Sequence, residues 1–332
     1  MSEPMTESTI EPMTESMTES MTEPATPLHI ATPLIESLAM ARPGQSVWLK
    51  MEALQPAGSF KNRGVGHACS VYAARGARRF VSSSGGNAGI ACAYAGRRLG
   101  IPVTVVVPET ASSRAIELIR QQAAEVIVHG ASFQEANEHA QSLLLPSDAF
   151  IHPFDDPLLW QGHAGMIDEV AAQLRGGRPD AVLLSVGGGG LLCGVVEGLR
   201  RNGWDDVPVI AVETAGAASL AAALAAGEAV TLPAITSIAT SLGARRVAQA
   251  AFEAATSHPV TSVVVSDAAA VAACLRFIDD HRIVVEPACG AALAVCHDGA
   301  ALAGFRNVLV IVCGGVTATL PQLQRWAQEL PG

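Results

Sequence analysis

From residue 25 onward the sequence alternates two textures: short runs of β-branched, apolar residues and longer alanine-rich stretches with helical spacing. The runs are Val47–Met51, Phe80–Ser83, Val103–Val107, Glu125–Val128, Ala181–Val186, Val209–Val212, Val260–Val265 and Asn307–Val312. Between them lie helical stretches such as Gly64–Arg75, Ala88–Leu99, Ser112–Gln122, Gln134–Leu144, Gly162–Leu174 and Ala268–Asp280. Apolar strands joined by helices imply a mostly parallel sheet covered on both faces, which is the α/β class. In such sheets ligands sit beyond the carboxyl ends of strands, where loops lead into helices. At 332 residues, against a prior of roughly 150 residues per domain, two lobes are expected. The segment His152-Pro153-Phe154-Asp155-Asp156-Pro157 breaks the alternation with prolines and turn formers, and is the expected crossing between them.

Composition narrows the partners. Apolar residues make up 49% and charged residues 16%, a profile for a well-buried globular chain. The net charge of −10 argues against nucleic acid as a general partner. Six of the acids (Glu3, Glu7, Glu11, Glu15, Glu19 and Glu23) belong to a Met-Thr-Glu-Ser/Pro repeat over residues 1–24. Glutamates four apart would repel along one helix face, and Pro4, Pro12 and Pro24 disfavour a long helix. Residues 1–24 are therefore expected to be a disordered acidic tail, unless translation starts at Met5, Met13, Met17 or Met21. The tail has neither the basic nor the apolar segment of a targeting peptide. No run reaches the ~18 apolar residues of a membrane span. Seven scattered cysteines without a Cys-x-x-Cys pair point to a reducing compartment rather than a disulfide scaffold, and hence to a soluble, cytoplasmic protein.

Three loops carry chemical signals. The first is Gly58-Ser59-Phe60-Lys61-Asn62-Arg63-Gly64. The chain has 19 arginines and only two lysines, Lys50 and Lys61, so a lysine kept here stands out. An amine can lose its proton and condense with an aldehyde, which a guanidinium effectively cannot; the plainer reading is a surface lysine that begins a helix. The second loop, Ser82-Ser83-Ser84-Gly85-Gly86-Asn87-Ala88-Gly89, ends a strand and opens a helix. Its small residues would let backbone N–H groups approach an anion, or Asn87 would simply cap the helix. The third, Ser185-Val186-Gly187-Gly188-Gly189-Gly190, follows a buried strand and precedes a helix at Leu191. Four consecutive glycines are entropically costly, and close approach of backbone N–H groups to phosphate explains them; a purely structural turn is the alternative. Neither a G-x-G-x-x-G register nor a Gly-Lys-Ser/Thr P-loop fits. A strand-end Cys313-Gly314-Gly315 closes the chain, and by itself Cys313 reads as an inert buried thiol. The nucleophile elbow G-x-S-x-G is absent, and none of the nine histidines has local metal-ligand spacing.

The combination resembles the fold-type-II pyridoxal phosphate enzymes, which share a two-lobed fold like that of the tryptophan synthase β subunit. Within them it resembles the serine dehydratase/threonine deaminase family, from about Pro27 to Trp326. The likeness rests on G-S-F-K-N-R-G, S-S-G-G-N-A-G, G-G-G-G, F-D-D-P-L-L-W and Val285-Glu286-Pro287-Ala288-Cys289-Gly290-Ala291-Ala292-Leu293-Ala294. It implies that Lys61 carries pyridoxal 5'-phosphate as a Schiff base, and that Phe60 lies against the ring. It implies further that Asn87 bonds the ring oxygen, Gly187, Gly188, Gly189 and Gly190 cradle the phosphate, and Cys313 faces the ring nitrogen. Ser84, Gly85 and Ala88 would meet the substrate carboxylate. A monovalent cation such as potassium would take oxygens from Gly187, Glu213, Ala217, Leu242 and Ala244, a donor set suited to a hard cation. The implied organisation is a large domain of residues 25–55 plus 158–332, a small domain of 56–157, and a homodimer.

The implied activity is a lyase converting L-serine to pyruvate and ammonia, with L-threonine giving 2-oxobutyrate. Gly85 stands where related racemases resemble one another in carrying a serine base, so racemisation should be poor. Val316 stands where the family usually has asparagine or serine. The chain ends about 20 residues after Cys313, which leaves no room for a C-terminal regulatory domain of usual size. The rival readings are a β-replacement synthase of the same fold and a non-catalytic member that binds an amino acid; a nicotinamide oxidoreductase lacks its fingerprint.

Overall fold

A computed structural model describes residues 26–330. The acidic repeat expected to be a disordered tail lies outside the described residues. The first elements are the short antiparallel pair β1 (Leu34–Glu36) and β2 (Ser46–Lys50), followed by helix α1 (Lys61–Ala74). A compact α/β stretch comes next: β3 (Arg79–Ser82), α2 (Asn87–Leu99), β4 (Val103–Val107), α3 (Ser113–Gln121), β5 (Glu125–Val128), α4 (Phe133–Ser142) and β6 (Asp148–Phe150). Helix α5 (Pro157–Gln173) leads to β7 (Ala181–Ser185), α6 (Gly190–Arg201), β8 (Val209–Thr214), α7 (Ser219–Ala226), α8 (Gln249–Ser257) and β9 (Val260–Val265). The chain closes with α9 (Asp267–His281), α10 (Pro287–Asp298), β10 (Asn307–Ile311) and α11 (Leu320–Glu329).

These strands form two sheets. One has the order β5-β4-β3-β6 and is parallel throughout; the other has the order β1-β2-β10-β7-β8-β9 and is parallel except for β1. Their central strands β4 and β7 are buried at every residue, as strands covered on both faces must be. Each sheet has its own apolar core. Val182, Leu183, Val209, Val310 and Leu293 belong to one, and Val65, Phe80, Ile90, Val105 and Ile119 to the other. Strand β2 is contributed to the larger sheet before the smaller sheet begins, and it pairs in parallel with β10 from the far end of the chain.

The boundaries depart from the sequence expectation in informative ways. Helix α1 begins at Lys61 rather than Gly64, so the lysine is itself the first helical residue. Asn87 is likewise the first residue of α2, and Gly86, not Asn87, occupies the cap position. Helix α5 starts at Pro157 rather than Gly162: proline suits the first helical position because its missing N–H has no partner there anyway, and Asp156 accepts a hydrogen bond from the Leu158 N–H. The proline that looked like an interruption is a helix start.

Candidate active site

Some helix starts are capped by their own side chains, as α5 is by Asp156, and others, α7, α8 and α10 among them, are not. Helices α3, α4, α9 and α11 open with Ser112, Ser132, Ser266 and Thr319, each accepting a hydrogen bond from a first-turn N–H. Helices α1, α2 and α6 have Phe60, Gly86 and Gly189 at that position and no capping side chain. α2 and α6 follow the carboxyl ends of β3 and β7, so their free N–H groups and the positive ends of their dipoles can serve an anionic ligand. The one side-chain bond into the first turn of α1 comes from α5: the buried His163 accepts from the Gly64 N–H through Nδ1 (3.2 Å). Burial, with Lys61 and Arg63 nearby, holds His163 well below its ordinary value, so it stays neutral and able to accept.

The lysine loop is stitched to the end of β10. Phe60 N–H donates to the Cys313 carbonyl (3.0 Å), Gly315 N–H to the Gly58 carbonyl (2.9 Å), and Ser59 forms an isolated bridge with Gly314. This brings Lys61 and Cys313 together from opposite ends of the fold. The Lys61 amine donates to the Pro153 carbonyl (2.6 Å) and lies 5.0 Å from the centre of the Phe60 ring. Burial lowers it to about 8, with Cys313 and Glu286 opposing the shift. A hydrogen bond with Cys289 and burial push the Cys313 thiol well above its ordinary value, so it remains protonated.

The glycine loop has no room for side chains. A Cβ on Gly188 would lie 2.3 Å from Phe154 Cγ, one on Gly189 2.2 Å from Ala251 Cβ, and one on Gly187 2.9 Å from Leu242 Cα. Gly189 also has φ +94°, a left-handed conformation that disfavours any other residue. The asparagine loop is less tight: a Cβ on Gly85 would meet Ala111 Cβ at 3.2 Å, and Ser84 Oγ accepts from Gly86 N–H (3.3 Å). Asn87 reaches across to the other sheet's side. Its Nδ2 donates to Glu286 (2.6 Å) and Ser241 (3.4 Å), and its Oδ1 accepts from Val316 N–H (3.3 Å).

Of the residues singled out in the sequence, Phe60, Lys61, Cys313 and the crossing segment at Pro153 are joined directly by these contacts, and Gly188 meets the same segment through Phe154. Of the five residues expected around a cation, Gly187 lies against Leu242. Glu213 is fully buried, and its two oxygens accept from the Leu220 and Ala221 N–H groups of α7 (2.8 Å each). Burial pushes Glu213 up to about 7. Glu286, Ser241 and Thr317 were not anticipated as site residues. Glu286 was visible only inside the V-E-P-A-C-G motif, where Glu-Pro reads as an ordinary helix start.

A half-buried lysine tilted toward its neutral form, a side-chain-free loop before an uncapped helix, and a protonated thiol fit pyridoxal phosphate. The family model described as "Pyridoxal-phosphate dependent enzyme" matches residues 25–314. The chain belongs to that family. It is 50% identical over 315 residues to the mouse protein named L-serine dehydratase/L-threonine deaminase, covering 91% of this chain and 96% of that one. It is 49% identical to the rat protein named serine dehydratase-like, covering 92% and 96%. The crystal structure of a fungal L-serine ammonia-lyase from Rhizomucor miehei superposes with a TM-score of 0.86 at 36% identity, covering 91% of this chain and 99% of that one.

Proposed function

We propose that this chain is a pyridoxal phosphate-dependent L-serine ammonia-lyase that releases pyruvate and ammonia, and that it also converts L-threonine to 2-oxobutyrate. The observation that carries the reading is the contact pattern around Lys61: a half-buried amine, poised near 8, tied to the loop that bears the Cys313 thiol. When bound, pyridoxal phosphate supplies the electron sink that makes the substrate's α-proton acidic. Lys61 is assigned both the attachment of the cofactor and, as a free amine, the removal of that proton; a general base works best with a pKa near the working pH. The N–H groups of Gly187, Gly188, Gly189 and Gly190 are assigned to its phosphate, supported by the uncapped start of α6. Phe60 is assigned to the ring face and Asn87 to the ring oxygen. Ser84, Gly85 and Ala88 hold the substrate carboxylate at the start of α2. Cys313, a thiol held protonated, would give the ring nitrogen a neutral partner where a carboxylate would give it an anion.

Gly85 presents no side-chain base on the second face of the substrate, which supports elimination over racemisation. The burial of Glu213 and the contact of Gly187 with Leu242 support a potassium ion held by Glu213 and the carbonyls of Gly187, Ala217, Leu242 and Ala244. The sheet membership of the strands supports a large domain of 25–55 plus 158–332 and a small domain of 56–157. A homodimer follows from the family resemblance, and a cytoplasmic location from seven cysteines that are all free and buried.

The test is the visible absorption spectrum before and after L-serine, with pyruvate assayed in the same cuvette. A cofactor band that shifts while pyruvate accumulates is expected. A shift without pyruvate would point to a synthase or a binding protein, and no band after incubation with pyridoxal phosphate would overturn the reading.

A further inference from the structure

Glu286 is a carboxylate in an unusual place. It is only 4% exposed, and burying an ionisable group is unfavourable unless its partners compensate. It occupies the cap position of α10, where Ser, Thr, Asp or Asn is preferred, and its own side chain makes no capping bond. The side chain turns away from its own helix instead. Oε1 accepts from Asn87 Nδ2 (2.6 Å) and Oε2 accepts from Thr317 Oγ1 (2.7 Å), with Ser241 close by. Burial raises Glu286 above its ordinary value, and these neutral donors oppose the shift by favouring the carboxylate. The backbone makes way for it: Gly315 has φ +113°, and a Cβ there would lie 2.0 Å from Glu286 Cδ.

The consequence falls on Asn87. A carboxamide can be inserted either way round, and its neighbours decide which. Val316 N–H can only donate, and so demands Oδ1; a carboxylate can only accept, and so demands Nδ2. With both demands met the amide cannot flip. One of its two N–H groups is then committed to Glu286. The other has only Ser241 Oγ at 3.4 Å, a long and weak contact.

We infer that Glu286 is a positioning residue: it locks the amide of Asn87 so that the uncommitted N–H is presented to the cofactor's ring oxygen. This rests on the reading of the cleft as a pyridoxal phosphate site. It adds a role for a residue that makes no hydrogen bond to Lys61 and whose side chain does not cap its own helix. A carboxylate acceptor also polarises the amide, strengthening the second N–H as a donor.

The experiment is a double-mutant cycle read on cofactor binding and on the visible band, not on turnover. Glu286→Ala should weaken the affinity of the apo-protein for pyridoxal phosphate about tenfold, the expected size for loss of a buried hydrogen bond to a charged group. It should also move the absorption maximum. Asn87→Ala should do the same, and adding Glu286→Ala to it should change affinity less than about twofold, because coupled residues are not additive. If Glu286→Ala does not fold, Glu286→Asp keeps the charge but withdraws it by one methylene, and the same cycle is run with that variant. Additive losses, or an unmoved absorption maximum in the single Glu286 variants, would overturn the inference while leaving the cofactor reading intact. Absence of any band in the wild-type protein would remove both.

Discussion

The chain has two lysines, Lys50 fully buried and Lys61 half-buried, in regions that treat an amine in opposite ways. Lys50, at the end of β2, is fully buried and saturated: its ammonium donates to Glu169 Oε2 (2.6 Å), the Thr32 carbonyl (2.8 Å) and Gln173 Oε1 (3.0 Å). It sits in a network in which Arg63 pairs with Glu52 and with Glu169 through bonds of 2.7–2.8 Å. Burial lowers Lys50, and its bond to Glu169 works against the shift. Lys61 has one acceptor, a neutral carbonyl, and no carboxylate in contact. Burial alone therefore does not make a lysine reactive. What differs is whether the three N–H directions of the ammonium find acceptors, and in particular an anion. The two regions are also connected, because Arg63 lies two residues beyond Lys61 on α1. The ion network anchors the helix from which the uncommitted amine projects.

The sharpest way to break this contrast is to remove each lysine. Lys61→Ala should lower kcat/KM for L-serine by at least about a thousandfold, the scale of a lost general base, with the cofactor band also lost. Lys50→Met should leave turnover per folded molecule intact while lowering unfolding free energy by about 2 kcal/mol, because Glu169 and Thr32 lose a charged donor. Equal effects on turnover would show that the contrast is mistaken. Chemical denaturation alongside steady-state kinetics separates the two.

A smaller effect is expected at the glycine loop. Gly189→Ala forces a side chain into a left-handed conformation and against Ala251, and should cost about 1–3 kcal/mol of stability. It should weaken pyridoxal phosphate binding as well, measured by fluorescence titration of the apo-protein. Unchanged cofactor affinity in a folded Gly189→Ala protein would argue against the loop as the phosphate site.

The protonation of Lys61 gives a subtler test. Only the neutral amine attacks an aldehyde, and at a pKa of about 8 roughly a tenth of it is neutral at pH 7, against well under a thousandth for an ordinary lysine. The rate at which the apo-protein takes up pyridoxal phosphate should rise with pH, reach half its plateau near pH 8, and then level off. A rate still climbing at pH 10 would mean that the cleft does not depress this amine. The smallest effect is expected from deleting residues 1–24, which should leave kcat, KM and the melting midpoint unchanged; a large loss of activity would give the repeat a role.

Much of the fold was legible because its signals are local. Runs such as Val103–Val107 and Ala181–Val186 show the continuous apolarity of doubly covered strands, and they became β4 and β7 with little change. Strands β1 and β6 were missed, since three residues are too few for a periodic pattern to emerge. At the site, the lysine, asparagine and glycine loops announced themselves through residues that are costly or scarce in this chain. The Lys50 network and Glu286 gave no such signal. A lysine in a strand and a glutamate before a proline are ordinary until their neighbours are known.

The sequence by itself determined the layered α/β class, the placing of glycine loops at strand ends, and the single lysine set in a small-residue loop. These follow from backbone sterics and hydrophobic periodicity, which act over a few residues. Tertiary structure alone decided which of the two lysines is paired with a carboxylate and which meets only a neutral carbonyl. It also set Glu286 against Asn87 across 199 residues of chain. The reason is physical: a side chain's pKa and orientation depend on the dielectric and on the donors and acceptors within a few ångströms, and those neighbours are assigned by sheet order and helix packing rather than by position along the chain.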